Sequence, residues 1–204
     1  MQFNVKSNIK EVQRSMGRIR KDQIPFASSL ALNMTADDVA KAITAQMPQK
    51  LDRPTPFTLA AYMTKRGRFK GKRATKRNLV AVLIPGEAQA KYLELQVFGG
   101  TRTPTGSKLA VPFDKNARLN KYGNVPNRRG GLIKKKSQFI ATIKGIEGIW
   151  ERYGRGGKKI KLIHAFESEA DYQPRLPIFK IARGVIRNRL AKNFRVAYAR
   201  AIKP

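Results

Sequence analysis

The stretch LPIFKIARGVIRNRLAKNFRVAYARAI at 176–202 constrains the fold more than any other part of the chain. Phe179, Ala182, Ile186, Leu190, Phe194 and Ala197 recur near every 3.6 residues, and Pro177 suits a first helical turn. Lys180, Arg183, Arg187, Arg189, Lys192, Arg195 and Arg200 fill much of the remaining surface. The apolar stripe must be covered while isolated cations resist burial, so the segment predicts a long helix with one packed side and one basic side. Periodicity alone leaves open whether Phe179, Ile186, Leu190 and Phe194 pack within one subunit or between subunits.

Upstream, Val12, Met16 and Ile19, then Leu32, Ala36, Val39, Ile43 and Met47, follow the same period. They predict a helical arm or hairpin over residues 1–50, with Pro25 near a helix start and Pro48 at its end. Residues 51–78 read as an extended basic connector. LVAVLI at 79–84 and KYLELQVF at 91–98 read as strands, the second because Leu93, Leu95 and Val97 alternate with polar residues. Gly99 to Gly131 reads mostly as loop with a short helix around Asn116–Tyr122, and GLIKKKSQFI as another short helix. IWERY and KKIKLIHAF flank Gly154-Arg155-Gly156-Gly157 as a hairpin, with Ile160, Leu162, His164 and Phe166 on one face.

The expected fold is α+β: a helical segment 1–50, the connector 51–78, a strand-rich core with long loops at 79–176, and a C-terminal helix 177–204 packing on that core. The sheet is expected to be small, twisted, and antiparallel or mixed. Trp150 and Tyr153 are expected to pack in the hairpin or at an interface.

Charge narrows the partners. The chain has 43 Lys and Arg against 13 Asp and Glu, a net charge of +30. A field of that size favours nucleic acid, an anionic membrane surface or an acidic protein. The densest run, KRGRFKGKRATKR at 65–77, offers Lys65, Arg66, Arg68, Lys70, Lys72, Arg73, Lys76 and Arg77 as contacts to phosphates or to an acidic neighbour, with Phe69 as a candidate base-stacking ring. Arg128, Arg129, Lys134, Lys135 and Lys136 form a second cluster, and Arg187 and Arg195 represent the third, on the terminal helix. Small alanines on that helix disfavour membrane attachment, and the absence of an apolar run near eighteen residues leads us to expect a soluble chain.

Residues for catalysis are few. Without cysteine there is no thiolate chemistry, and a single His, His164 on an alternating strand, reads as a packed residue. Asp37-Asp38 reads as acids in early helical turns, and Glu167, Glu169 and Asp171 as a local acidic group. Charge pairing or capping explains these acids better than a magnesium site. GRGG lacks the spacing and the Lys-Ser/Thr ending of a phosphate-binding loop. The expectation is a non-enzyme without metal or cofactor.

IPFASSLALNMTADDV at 24–39, DRPTPFTL at 52–59, ATKRNLVAVL at 74–83, GIWERYG at 148–154 and RLPIFKIARGVIRNRLAKNF at 175–194 stand in an order that resembles the minor tail and tail-completion proteins of tailed bacteriophages, the family containing the lambda tail-completion protein. The resemblance implies a virion component at the tail end or the head–tail junction, or neck. It would be made in the host cytoplasm and assembled as a closed ring around the DNA path. Its partners would be other copies of itself, neighbouring tail, neck or connector proteins, and DNA without sequence preference. The competing expectation is a free-standing, sequence-nonspecific nucleic-acid-binding protein of ribosome-associated or chromatin-like type.

Overall fold

The structure is a computed structural model that describes residues 9–104, 106, 108–113, 115–126, 133 and 135–202. In chain order its helices and strands are α1 (Ile9–Arg18), α2 (Ile24–Lys50), α3 (Pro56–Leu59), β1 (Gly71–Lys72), β2 (Val82–Leu83), α4 (Glu87–Phe98), β3 (Gly100–Arg102), β4 (Leu109–Pro112), β5 (Gln138–Ile143), β6 (Ile146–Tyr153), β7 (Lys159–Glu167), β8 (Ala170–Tyr172) and α5 (Ile178–Ala201). The fold class is α+β, with a long helix near each end of the chain. The described residues form two compact units interleaved in sequence: those within 9–47, 56–90 and 177–202 in the first, those within 48–55 and 91–176 in the second.

In the first unit α1 runs into α2 through a π-helical turn, Ile19–Gln23. Pro25 is thus the second residue of α2, near a helix start as expected, directly after the widened turn. That widening accommodates the amide proton Pro25 lacks. Ala27, Ser29, Ala31, Asn33, Thr35, Val39, Ala40, Ile43 and Met47 of α2 are buried. Ala27, Ala31 and Thr35 share one face while Ser29 and Asn33 lie on roughly the opposite one, so α2 is covered on two sides. Ala197 of α5 packs against Ala27 and Ala31, with Leu30, Phe194 and Tyr198 at the margin. The C-terminal helix, expected on the strand-rich core, thus shares its core with α2.

Residues 51–78, expected to be extended, instead fold. Ala61, Tyr62, Phe69 and Ala74 are buried, α3 opens the stretch after Thr55, and β1 pairs antiparallel with β2. Of the expected strand 79–84, Val82–Leu83 alone forms a ladder.

KYLELQVF is helix, not strand, and forms the later turns of α4. Glu87 and the helix formers Ala, Gln, Lys, Leu and Glu that follow Pro85-Gly86 outweigh a short alternation, which also fits pairs four residues apart.

The second unit is built on an antiparallel sheet in the order β4-β7-β6-β5, beside a separate β3–β8 pair. The expected hairpin forms as β6 and β7, with a register shift at Ile149/Trp150. A second hairpin joins β5 to β6 through Lys144 (φ 54°) and Gly145 (φ 79°), the two positive angles of a type I′ turn. Gly148 permits the close approach of β6 and β7, since a Cβ there would lie 2.2 Å from the His164 carbonyl oxygen. Asn116–Tyr122 forms turns instead of a helix. Gln138 onward in the expected helix GLIKKKSQFI is strand β5, while Gly131, Leu132 and Lys134 lie outside the described residues. Ile149 and Ile163 are buried in the sheet unit, as is Trp150, whose indole N–H donates to the Ala141 carbonyl at 3.0 Å.

Candidate functional site

The basic run 65–77 is held by polar side chains of α2. Asn33 pairs with the backbone of Ala74 as a strand would: Nδ2 donates to the Ala74 carbonyl and Oδ1 accepts the Ala74 N–H, each at 2.9 Å. One turn on, Asp37 Oδ1 accepts the Phe69 N–H at 2.8 Å. Ahead of these anchors, within the turn closed by the Thr64 N–H to Arg68 carbonyl bond, Gly67 takes a φ of 71° that favours glycine.

This anchoring sorts the eight cations. Phe69 is 3% exposed, so it is a packing residue and not a base-stacking platform. The Arg73 guanidinium lies 5.1 Å from the Phe69 ring centroid and 3.8 Å from Asp37, and Lys70 Nζ donates to the Ala60 carbonyl at 2.7 Å. Both serve the loop itself. Lys65, Arg66, Arg68, Lys72, Lys76 and Arg77 are exposed, with the Lys76 ammonium 5.4 Å from the Phe26 ring centroid. A rigid backbone thus presents six cations to solvent.

On α5, Asn193 Nδ2 donates to Thr35 Oγ1 and Asp38 Oδ2 of α2, both at 3.0 Å. Asp37 and Asp38 therefore lie mid-helix, not in the first turns, and clasp the basic loop and α5 respectively. Lys180, Arg183, Arg187, Arg189, Lys192, Arg195 and Arg200 are all exposed.

The same helix leaves part of its apolar stripe open. Phe194 and Leu190 are half-buried, but Phe179 and Ile186 are 55% and 43% exposed. These two, expected to be packed, line a groove of about 260 Å³ with Leu190, Leu32, Val39 and Ile43. Tyr62, Ala81 and Leu83 form another part of its wall. The groove was not foreseen from sequence. Its signal was the uncharged run LVAVLI, in which Leu79, Val80, Val82 and Ile84 remain more than 40% exposed.

In the sheet unit, Lys135 is tied down. Its ammonium lies 2.6 Å from Glu151 Oε1, and Lys161 lies 3.3 Å from Glu151 Oε2. The Lys135 hydrogen bond is the chief cause holding the Glu151 carboxyl below its usual range, against the opposing effect of burial. Lys136 is exposed, whereas Arg128, Arg129 and Lys134 lie outside the described residues. Tyr153 is 44% exposed with Lys161 5.5 Å from its ring centroid, so it sits at the sheet end and not in the core.

His164 is 4% exposed and both ring nitrogens lack a hydrogen-bond partner. Burial pushes its pKa down, which keeps the ring neutral. Asp171 accepts from Thr101 Oγ1 at 2.6 Å across the β3–β8 pair. Among the described residues no group of three or more His, Asp or Glu is placed to hold a metal ion. No helix among them is long and apolar enough to cross a membrane. No protein-family model, curated protein or solved structure matches the chain.

Proposed function

We propose that the protein is a non-enzymatic structural component of a tailed-bacteriophage virion, acting in tail completion or at the head–tail junction as a homo-oligomeric ring around the DNA path. The observation that carries this reading is α5, which combines seven exposed cations with an apolar stripe left open at Phe179 and Ile186. An exposed apolar groove is the mark of a surface completed by another molecule. Exposed cations on a fixed scaffold neutralise phosphates and gain sequence-independent affinity from counterion release. The five stretches that resemble phage tail-completion proteins supply the virion setting. A free-standing nucleic-acid binder accounts for the cations but gives no role to the groove or to the exposed LVAVLI run.

Mass spectrometry of purified tailed particles encoded by the same genome tests the placement, and complementation tests the face. The chain is expected in the particles. Arg187→Glu with Arg195→Glu is expected to keep the circular dichroism of the parent and fail to restore infectivity. Particles that lack the chain overturn the virion reading in favour of the free-standing binder. Full infectivity of the double variant overturns the role of the basic face.

A further inference from the structure

We infer that two copies of the free protein pair through the open edge of β2, forming an antiparallel continuation of the β1–β2 ladder about a two-fold axis at Val82. The register of the existing ladder decides which edge is open. Lys72 lies opposite Val82 and Gly71 opposite Leu83, and the Ile84 N–H donates to the Lys70 carbonyl at 3.1 Å. In an antiparallel pair these groups alternate, so Val82 and Ile84 direct their backbone groups at β1 while Leu83, and by the same alternation Ala81, direct theirs away. Among the described residues neither Ala81 nor Leu83 has a backbone partner on that side.

Natural edges are blunted by charge, proline or a bulge, and an uncharged apolar edge pairs with another strand. Residues 79–84 carry no charge and no proline, and Leu79, Val80, Val82 and Ile84 are 44%, 53%, 41% and 52% exposed.

A second copy fits this edge because the segment is complementary to itself. With the axis at Val82, each Ala81 meets the other copy's Leu83, so the residues with free N–H and C=O groups face one another. Val80 then lies beside Ile84, Val82 beside Val82, and small Ala81 beside large Leu83 on the side that lines the groove. The contact is isologous and closes with two copies. It describes the protein before assembly and does not rest on the virion reading.

Net charge sets a distinctive signature. Two chains of +30 repel, and raising salt from about 0.1 to 1 M shortens the screening length from about 10 to about 3 Å. Pairing therefore tightens with salt, whereas phosphate binding weakens.

The chain has no cysteine, so single cysteines report the register directly. Residues at a non-hydrogen-bonded antiparallel position have Cα atoms about 4.5 Å apart, within disulfide range. Val82→Cys is expected to cross-link to itself at least about ten times faster than Val80→Cys, whose two copies would lie roughly 14 Å apart. Sedimentation of the unaltered protein should show a dimer that grows with salt. Val82→Lys should abolish it with circular dichroism unchanged, and the cross-linking result decides alone if that variant fails to fold. A monomer at every salt concentration, or equal cross-linking at 80 and 82, overturns the inference. Weakened DNA binding with the dimer intact, or the converse, separates this contact from the polyanion face.

Discussion

Replacing Asn33 by Ala removes both bonds that hold the basic loop at Ala74 and leaves a buried N–H and a buried carbonyl facing an apolar side chain. Asn33 is 7% and Ala74 6% exposed, so neither orphaned group regains bulk water without local opening. An unsatisfied buried group costs about 1–3 kcal/mol, and partial entry of water into the space left by the amide trims the sum of two to about 2–4 kcal/mol. That range raises the opening equilibrium of the loop roughly 30- to 900-fold. The Lys- and Arg-rich run supplies many trypsin sites, so brief digestion followed by mass spectrometry reads local opening, while urea unfolding reads the whole chain. Asn33→Asp adds a sharper test. Its carboxylate still accepts the Ala74 N–H but sets a second oxygen against the Ala74 carbonyl. The loss at pH 7 should shrink once the carboxyl gains a proton it can donate to that carbonyl. Unchanged cleavage within 65–77 in the Ala variant, or no recovery of the Asp variant in acid, would refute the clasp.

For DNA, each exposed cation that neutralises a phosphate adds about −0.9 to the log–log salt slope. Replacing Lys65, Arg66, Lys72 and Arg77 by Ser should flatten the slope by up to about 3.6, and an unchanged slope would redirect the loop to an acidic protein partner. His164 is held neutral by burial, so between its lowered folded pKa and the ordinary value of 6.5 the unfolded chain binds more protons. Stability should therefore fall as pH drops below 6.5; urea unfolding of His164→Leu should show a shallower slope there, and equal slopes would remove His164 as the cause. Trp150→Ala should cost about 3–5 kcal/mol in urea unfolding through the cavity left behind, with the Ala141 carbonyl losing its donor. A loss below about 1 kcal/mol would show that the ring is not part of the core.

Much of the architecture was legible where a period was long or a turn chemically marked. The stripe of α5 runs over many turns, and GRGG sits between two alternating strands, so both elements were readable. KYLELQVF was not, because eight residues that alternate by two also place apolar side chains four apart, and composition then decides for helix. The folding of 51–78 was hidden for another reason: its anchors, Asn33 and Asp37, stand on a helix more than thirty residues earlier, and nothing within the connector announces them. The site was legible in part. Charge density pointed to 65–77 and to α5, but sequence could not tell that Arg73 and Lys70 fasten the loop while their neighbours face water. Nor could periodicity reveal the groove, since it assigns Phe179 and Ile186 to a shared face without saying whether anything covers that face.

The interleaving of the two units has a consequence for the chain on the ribosome. Residues 24–50 and 56–90 emerge early, but α5, which covers Ala27 and Ala31, follows the whole of 91–176. Synthesis from residue 91 to the end of α5 at Ala201 takes roughly 6–22 s at about 5–20 residues per second. Throughout that interval the alanine seam of α2 lacks the helix that covers it, and the apolar LVAVLI segment has already been synthesised. The sheet unit, contiguous from 91 to 176 apart from 48–55, has its strands in hand before then. Completion of the first unit is thus timed by the last helix, and nascent chains stalled before residue 177 are the species most in need of a holding chaperone.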